Sequence, residues 1–147
     1  MGSTITISPQ LKTLPSMFSK SVNVAMKECT ADLLRVSMAR TPVDSTTLEK
    51  SGTSKVECGL NSTTGIVSFK AMNKGYNYAY KMDKGTYKLG KKSLDKSSRG
   101  VRSKFCNSAL KVGTGYLTDT ADKCQKGYAQ HISKAINSTI ISKGFSK

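Results

Sequence analysis

Apolar residues recur at spacings of three and four near both ends of this chain, and that pattern limits the fold more tightly than anything else in it. Between Leu14-Pro15-Ser16 and an end near Arg40, Phe18, Val22, Ala25, Cys29, Leu33 and Val36 make one stripe along a helix of about six or seven turns. Leu14-Pro15-Ser16 suits its start, because proline is tolerated in a first turn. Pro42 disfavours helix at Thr41 and should end it. A second stripe, Leu117, Ala121, Cys124, Tyr128, Ile132, Ala135, Ile136 and Ile140, marks a long C-terminal helix. Thr118 or Asp119 can cap it, Gly127 should weaken it slightly, and Gly144 should stop it.

Two one-sided helices must bury their stripes against something, and the middle of the chain supplies strands. Ser54, Val56 and Cys58 alternate with polar neighbours over 53–58; Val67, Phe69 and Ala71 share a face over 64–71. Tyr76, Tyr78, Tyr80 and Met82 alternate over 76–82, and Asn73-Lys74-Gly75 reads as the turn before them. The tyrosine row is expected to be the inner face of the sheet; the other reading is a stacking surface for bases. A further short strand is expected within 105–112. Residues 1–13 are polar and suit an arm or an edge strand. The fold class is therefore α+β: a long N-terminal helix, a small antiparallel sheet of three or four strands, a long basic loop, and a long amphipathic C-terminal helix. Residues 14–147 form one domain, a size that buries a single core.

Charge is the other strong constraint. The 147 residues carry 24 Lys and Arg against 9 Asp and Glu, a net charge of +15, which favours polyanions or acidic protein surfaces as neighbours. Much of the excess lies in 84–104, where Lys84, Lys88, Lys91, Lys92, Lys96, Arg99, Arg102 and Lys104 face only Asp95. The second half of that stretch lacks apolar periodicity, so it is expected to be an extended loop, solvated or ordered against a partner.

Little suggests catalysis. His131 is the one histidine, and nothing local supplies the acid that would orient it as a base. The nine carboxylates are scattered beside lysines and suit caps and ion pairs. Cys29, Cys58, Cys106 and Cys124 are too far apart for paired zinc ligands and are expected to be reduced thiols, mostly in the core. No metal, cofactor or enzyme activity is expected. The first residues lack a secretory pattern and no run is apolar enough to span a membrane, so a cytoplasmic site of synthesis and no membrane partner are expected. Asp44 should cap the short turn after Pro42, with Leu48 folding back onto the core, and Gly85 should turn the chain where a side chain would clash.

Three segments sit at the junctions between these elements: Thr41 to Ser51, including Pro42, Asp44 and Leu48; Tyr78 to Thr86, including Tyr78, Ala79, Asp83 and Gly85; and Tyr116-Leu117 with Ala121. In that order, over roughly residues 20–142, the chain resembles the tail-completion and head–tail joining proteins of tailed bacteriophages. Thr46 departs from the glycine usual in that family, and Glu49 from a basic residue. The resemblance implies a structural virion protein at the neck or the head-proximal tail end, assembling as a cyclic homo-oligomer, usually a hexamer or else a dodecamer. It implies contacts with neighbouring neck, portal-adaptor or tail-tube proteins and transient DNA in the channel, after assembly in the host cytoplasm. The basic loop is then expected to meet protein. The competing reading is a cytoplasmic nucleic-acid-binding module that uses the tyrosine face and the basic loop.

Overall fold

The computed structural model describes residues 3–7, 16–43, 46–59 and 62–142. The expected Asp44 cap and Gly144 stop lie outside them. Helix α1 spans Ser16–Arg40 and helix α5 spans Thr118–Ser142. They run antiparallel: the Ser21 and Thr139 hydroxyls pair near one end, the Cys29 thiol donates to the Tyr128 carbonyl at 3.8 Å midway, and Arg40 reaches Thr120 at the other. Each buries most of the stripe its spacing predicts, although Ala135, Ile136 and Ile140 of α5 are only partly buried. Val22, Ala25, Cys29, Leu33 and Val36 of α1 are closed from solvent, as are Ala121, Cys124, Tyr128 and Ile132 of α5.

The sheet lies against α1. Strands β2 (Gly52–Cys58) and β3 (Thr63–Phe69) pair antiparallel, with Gly52 opposite Phe69 and Cys58 opposite Thr63. Val67 and Phe69 of β3, with Ala71 beyond it, are fully buried as their alternation requires. The third strand is β1 (Ser3–Ile7), antiparallel on the other edge of β3, so the order is β1-β3-β2. Of the expected arm or edge strand over 1–13, Ser3–Ile7 is thus an edge strand.

The tyrosine row is corrected. Only Tyr76–Asn77 (β5) is strand, paired back on Met72–Asn73 (β4) in a separate two-stranded hairpin. Its turn residues, Lys74 at φ 48° and Gly75 at φ 80°, sit in the left-handed region. The chain then turns helical as α3 (Ala79–Lys84). Asn77 Oδ1 starts that turn by accepting the Ala79 N–H at 3.2 Å and the Ala71 N–H at 3.1 Å. Ala79 and Asp83, four apart, bury one helical face, whereas Tyr76 and Tyr80 point outward at 58% and 57% exposure.

The basic loop is corrected in part. Within 84–104, residues Lys91–Ser98 form helix α4, and a short helix α2 (Thr47–Lys50) lies nearby. What holds α4 is polar. Ser93 Oγ accepts the Val43 N–H at 2.8 Å, while Leu94 is 55% exposed. Lys96 Nζ donates to the Met38 and Thr41 carbonyls at 2.9 and 3.0 Å and to Glu49 Oε2 at 2.9 Å. A cation on the last carbonyls of α1 is favourable against its dipole. The expected strand in 105–112 is absent; a single bridge joins Val101 to Leu110.

That irregular stretch is fastened to both long helices. Phe105 stacks edge-on to Tyr128 at 5.8 Å between centroids, and Cys106 forms a disulfide with Cys124. The expectation of four reduced thiols therefore holds only for buried Cys29 and exposed Cys58. Gly127 is needed for closeness: a Cβ there would lie 1.8 Å from the Phe105 carbonyl oxygen. By helix propensity alone Gly127→Ala gains about 1 kcal/mol; the clash should reverse that into a loss of about 1–3 kcal/mol. Urea denaturation decides the sign, and a stabilised variant would mean that the Phe105 backbone moves aside freely.

Candidate functional site

Two of the three junction segments are bonded to each other, and the third lines a pocket with Tyr78 and Met82 through Pro42 and Leu48. At the centre of the bonded pair is Asp83, 1% exposed on α3. Its Oδ1 accepts the N–H groups of Leu117 and Thr118 at 2.9 and 3.2 Å, and its Oδ2 accepts the Thr118 hydroxyl at 2.9 Å. A carboxylate here satisfies orphan donors of the first turn of α5 and complements its dipole. The cap therefore arrives from α3, not from Thr118 or Asp119. The Asp83 carbonyl also accepts the Gly115 N–H at 2.8 Å.

Tyr116 closes the same junction from the other side. Its hydroxyl donates to the Ala79 carbonyl at 3.0 Å, and its ring meets Phe69 edge-on at 5.1 Å. Burial, with Asp83 close by, pushes this phenol far above its ordinary range, so it stays a donor. Tyr116, Leu117 and Ala79 are fully buried, Pro42 and Leu48 are buried, and Tyr78 is half-buried against the core. Gly85 follows α3 with extended backbone. It is glycine because a Cβ would sit 2.4 Å from the Lys81 carbonyl oxygen. The clash was foreseen; the chain leaves a helix there, not a strand.

Arg40 completes the junction and was not singled out from the sequence. It is 3% exposed at the end of α1. Nε donates to the Lys111 carbonyl at 2.6 Å, Nη1 to Thr120 Oγ1 at 2.7 Å, and Nη2 to Asp119 Oδ2 at 2.9 Å. Burial raises the Asp119 carboxyl, but bonds from Lys123 and Arg40 outweigh it and hold the group below its usual value. The planar fork suits carbonyls and a carboxylate presented from several directions.

A second polar cluster lies midway along α1. Buried Asp32 accepts Arg35 Nη2 at 2.8 Å, the Tyr128 hydroxyl at 2.9 Å, the Lys104 N–H at 3.2 Å and the Ser103 hydroxyl. Burial pushes its carboxyl up, yet the four bonds prevail and leave it lowered from 3.8. Cys29 beside it is pushed up to about 12 by burial, then by Asp32 and Glu28, so it is protonated at neutral pH and a poor nucleophile. His131 Nε2 bonds the Glu28 carboxylate, and its ring lies 4.5 Å from that of Phe105. Among the described residues no group of three or more His, Cys, Asp or Glu is placed to hold a metal, and no helix is long and apolar enough to cross a membrane.

The basic residues divide. Lys84, Lys88, Lys91, Lys92, Arg99, Arg102 and Lys104 are exposed. Lys96 is an anchor, turned inward as described above. Near α1, the Arg102 carbonyl accepts Arg35 Nη2 at 2.8 Å, so the end of the stretch is docked rather than free. Comparison with family models, with curated proteins and with solved structures finds no match.

Two outcomes test these assignments. Asp83→Ala leaves donors of α5 unpaired in a buried site and should cost about 2–4 kcal/mol in denaturant unfolding, with Asp83→Asn intermediate. A loss below about 0.5 kcal/mol would show that the α5 terminus does not depend on this carboxylate. For Asp32, the folded group holds its proton less tightly than the unfolded one. Its stabilisation is therefore full above 3.8 and drains as pH falls through the lower folded value. Between about pH 5 and pH 2, the wild-type urea midpoint should fall more steeply than that of Asp32→Asn; parallel slopes would refute the assignment.

Proposed function

We propose that this chain is a structural protein of a tailed-phage virion, forming a ring at the neck or the head-proximal end of the tail. One observation carries the reading. Two of the segments that resemble the family's motifs, Tyr78 to Thr86 and Tyr116 to Ala121, lie far apart in sequence, yet they join in one hydrogen-bonded junction around Asp83 and Tyr116, and the third lines a pocket with Tyr78 and Met82 through Pro42 and Leu48. Their side chains are spent on holding α1, α3 and α5 together: Asp83 on an N-terminus, Tyr116 on a carbonyl, and Leu48 and Leu117 in the core. Residues committed to architecture in this way suit a building block better than a catalyst.

In that role the protomers repeat as a closed, head-to-tail homo-oligomer of six or twelve copies, the interface type that makes rings when the rotation closes. The exposed lysines on α4 and its approaches, Lys88, Lys91 and Lys92 with Arg99, then face an acidic surface of a neighbouring subunit or of the adjoining neck, portal-adaptor or tail-tube protein. No catalytic step and no cofactor enters the function.

Quantitative mass spectrometry of purified particles tests the proposal by counting copies of this chain against the major capsid protein. A small number per particle matching one ring is the expected result. Absence of the chain from intact particles would overturn the virion role. Native mass spectrometry of the isolated chain then reads the ring size.

A further inference from the structure

Between residues 70 and 92 the chain carries seven lysines, and the only acid in that interval is Asp83. Asp83 is buried and turned onto α5, so the interval presents cation with no exposed carboxylate of its own. The same interval holds two tyrosines, Tyr76 on β5 and Tyr80 on α3, both more than half exposed. Three residues lie between them, which limits the gap between their Cα atoms to about 14 Å.

The rings are presented by a stiff mount. Asn77, between them, is buried and binds the N–H groups of both Ala71 and Ala79, while the Tyr78 N–H donates to the Ala71 carbonyl at 2.9 Å. The hairpin and α3 are thus tied together through residues that lie between the two tyrosines in the chain. The Nδ2 of Asn77 is buried and has no hydrogen-bond partner among the described residues, a donor that nothing in the fold uses. Exposed aromatic rings, with exposed lysines on the same elements (Lys74 in the hairpin turn, Lys81 and Lys84 on α3), combine the two elements of sequence-tolerant strand binding. Those elements are a π-surface for bases and cations for phosphates.

From this surface we infer that the β4–β5 hairpin and α3 form a binding platform for single-stranded nucleic acid. Tyr76 and Tyr80 each stack on a base, and the surrounding lysines follow the backbone phosphates. Charge complementarity alone fits an acidic protein equally well; the paired exposed rings favour unpaired bases, because a duplex keeps its base faces stacked inside. Tyr78 has no part in it, being half-buried against the core. The platform stands on this surface alone and does not need the ring.

The test is fluorescence anisotropy with a labelled oligo(dT) of about 20 nucleotides, the full chain as titrant, at about 50 and 200 mM salt. Binding is expected at the lower salt and should weaken at the higher. The Tyr76→Ala/Tyr80→Ala double variant should weaken it at least about tenfold with an unchanged urea midpoint, since both rings are exposed. Replacing Lys74, Lys81 and Lys84 by glutamine should reduce the salt slope by about 2. No binding at the lower salt would overturn the inference. So would a double tyrosine variant within about twofold of the wild type, or a duplex of equal length bound as tightly. Displacement of the oligonucleotide by poly-glutamate as readily as by unlabelled oligo(dT) would assign the face to acidic protein instead.

Discussion

A buried carboxylate on the first turn of a helix it does not belong to is the interaction on which this fold turns. Asp83 lies on a helix of six residues, too short to persist alone. By accepting from Leu117 and Thr118 it fixes that helix against the start of α5, and the Tyr116 hydroxyl secures the reverse contact. Without the carboxylate, the junction would keep only the Tyr116 and Gly115 bonds to α3, beside apolar packing that has no directional preference. The hydrogen bonds supply the direction.

Arg40 does for α1 what Asp83 does for α5. Helix ends leave carbonyls or amides without partners, and both long helices here hand theirs to distant side chains or backbone. Gly113 donates to the Arg40 carbonyl at 2.9 Å, and Lys96 covers Met38 and Thr41. The two ends meet the same short stretch, 111–120, so one patch of backbone serves both. Apolar packing decides that α1 and α5 associate; this polar patch decides where along each other they stop.

The parts legible in the sequence are those governed by a period. Cys29, Leu33 and Val36, or Cys124, Tyr128 and Ile132, repeat at helical spacing and are buried accordingly. Val67 and Phe69 alternate and lie on the inner face of a strand. What escaped obeys no apolar period. Tyr76, Tyr78, Tyr80 and Met82 fit an alternation of two, yet Tyr78 and Met82 also fit a spacing of four, as do Ala79 and Asp83, and the backbone follows the latter. Helix α4 was missed because Ser93 and Lys96 face inward while Leu94 faces out. Asp83 stood out within a motif, but its partner thirty-four residues on was invisible without the fold. Arg40 was read only as the end of a stripe; a charged residue placed just before Pro42, where α1 stops, was the available sign that it is enclosed.

The segment from Val101 to Leu110 has almost no regular structure, yet it is placed by contacts that owe nothing to sulfur. Asp32 holds Ser103 and the Lys104 amide, Tyr128 flanks Phe105, and Gly127 lets the Phe105 carbonyl come close. Those contacts bring Cys106 to Cys124, with their Cα atoms 5.2 Å apart. Neighbouring groups held in this way react at effective concentrations far above those of free thiols in solution. The covalent bond is therefore added to a segment that hydrogen bonds and ring contacts already hold in place.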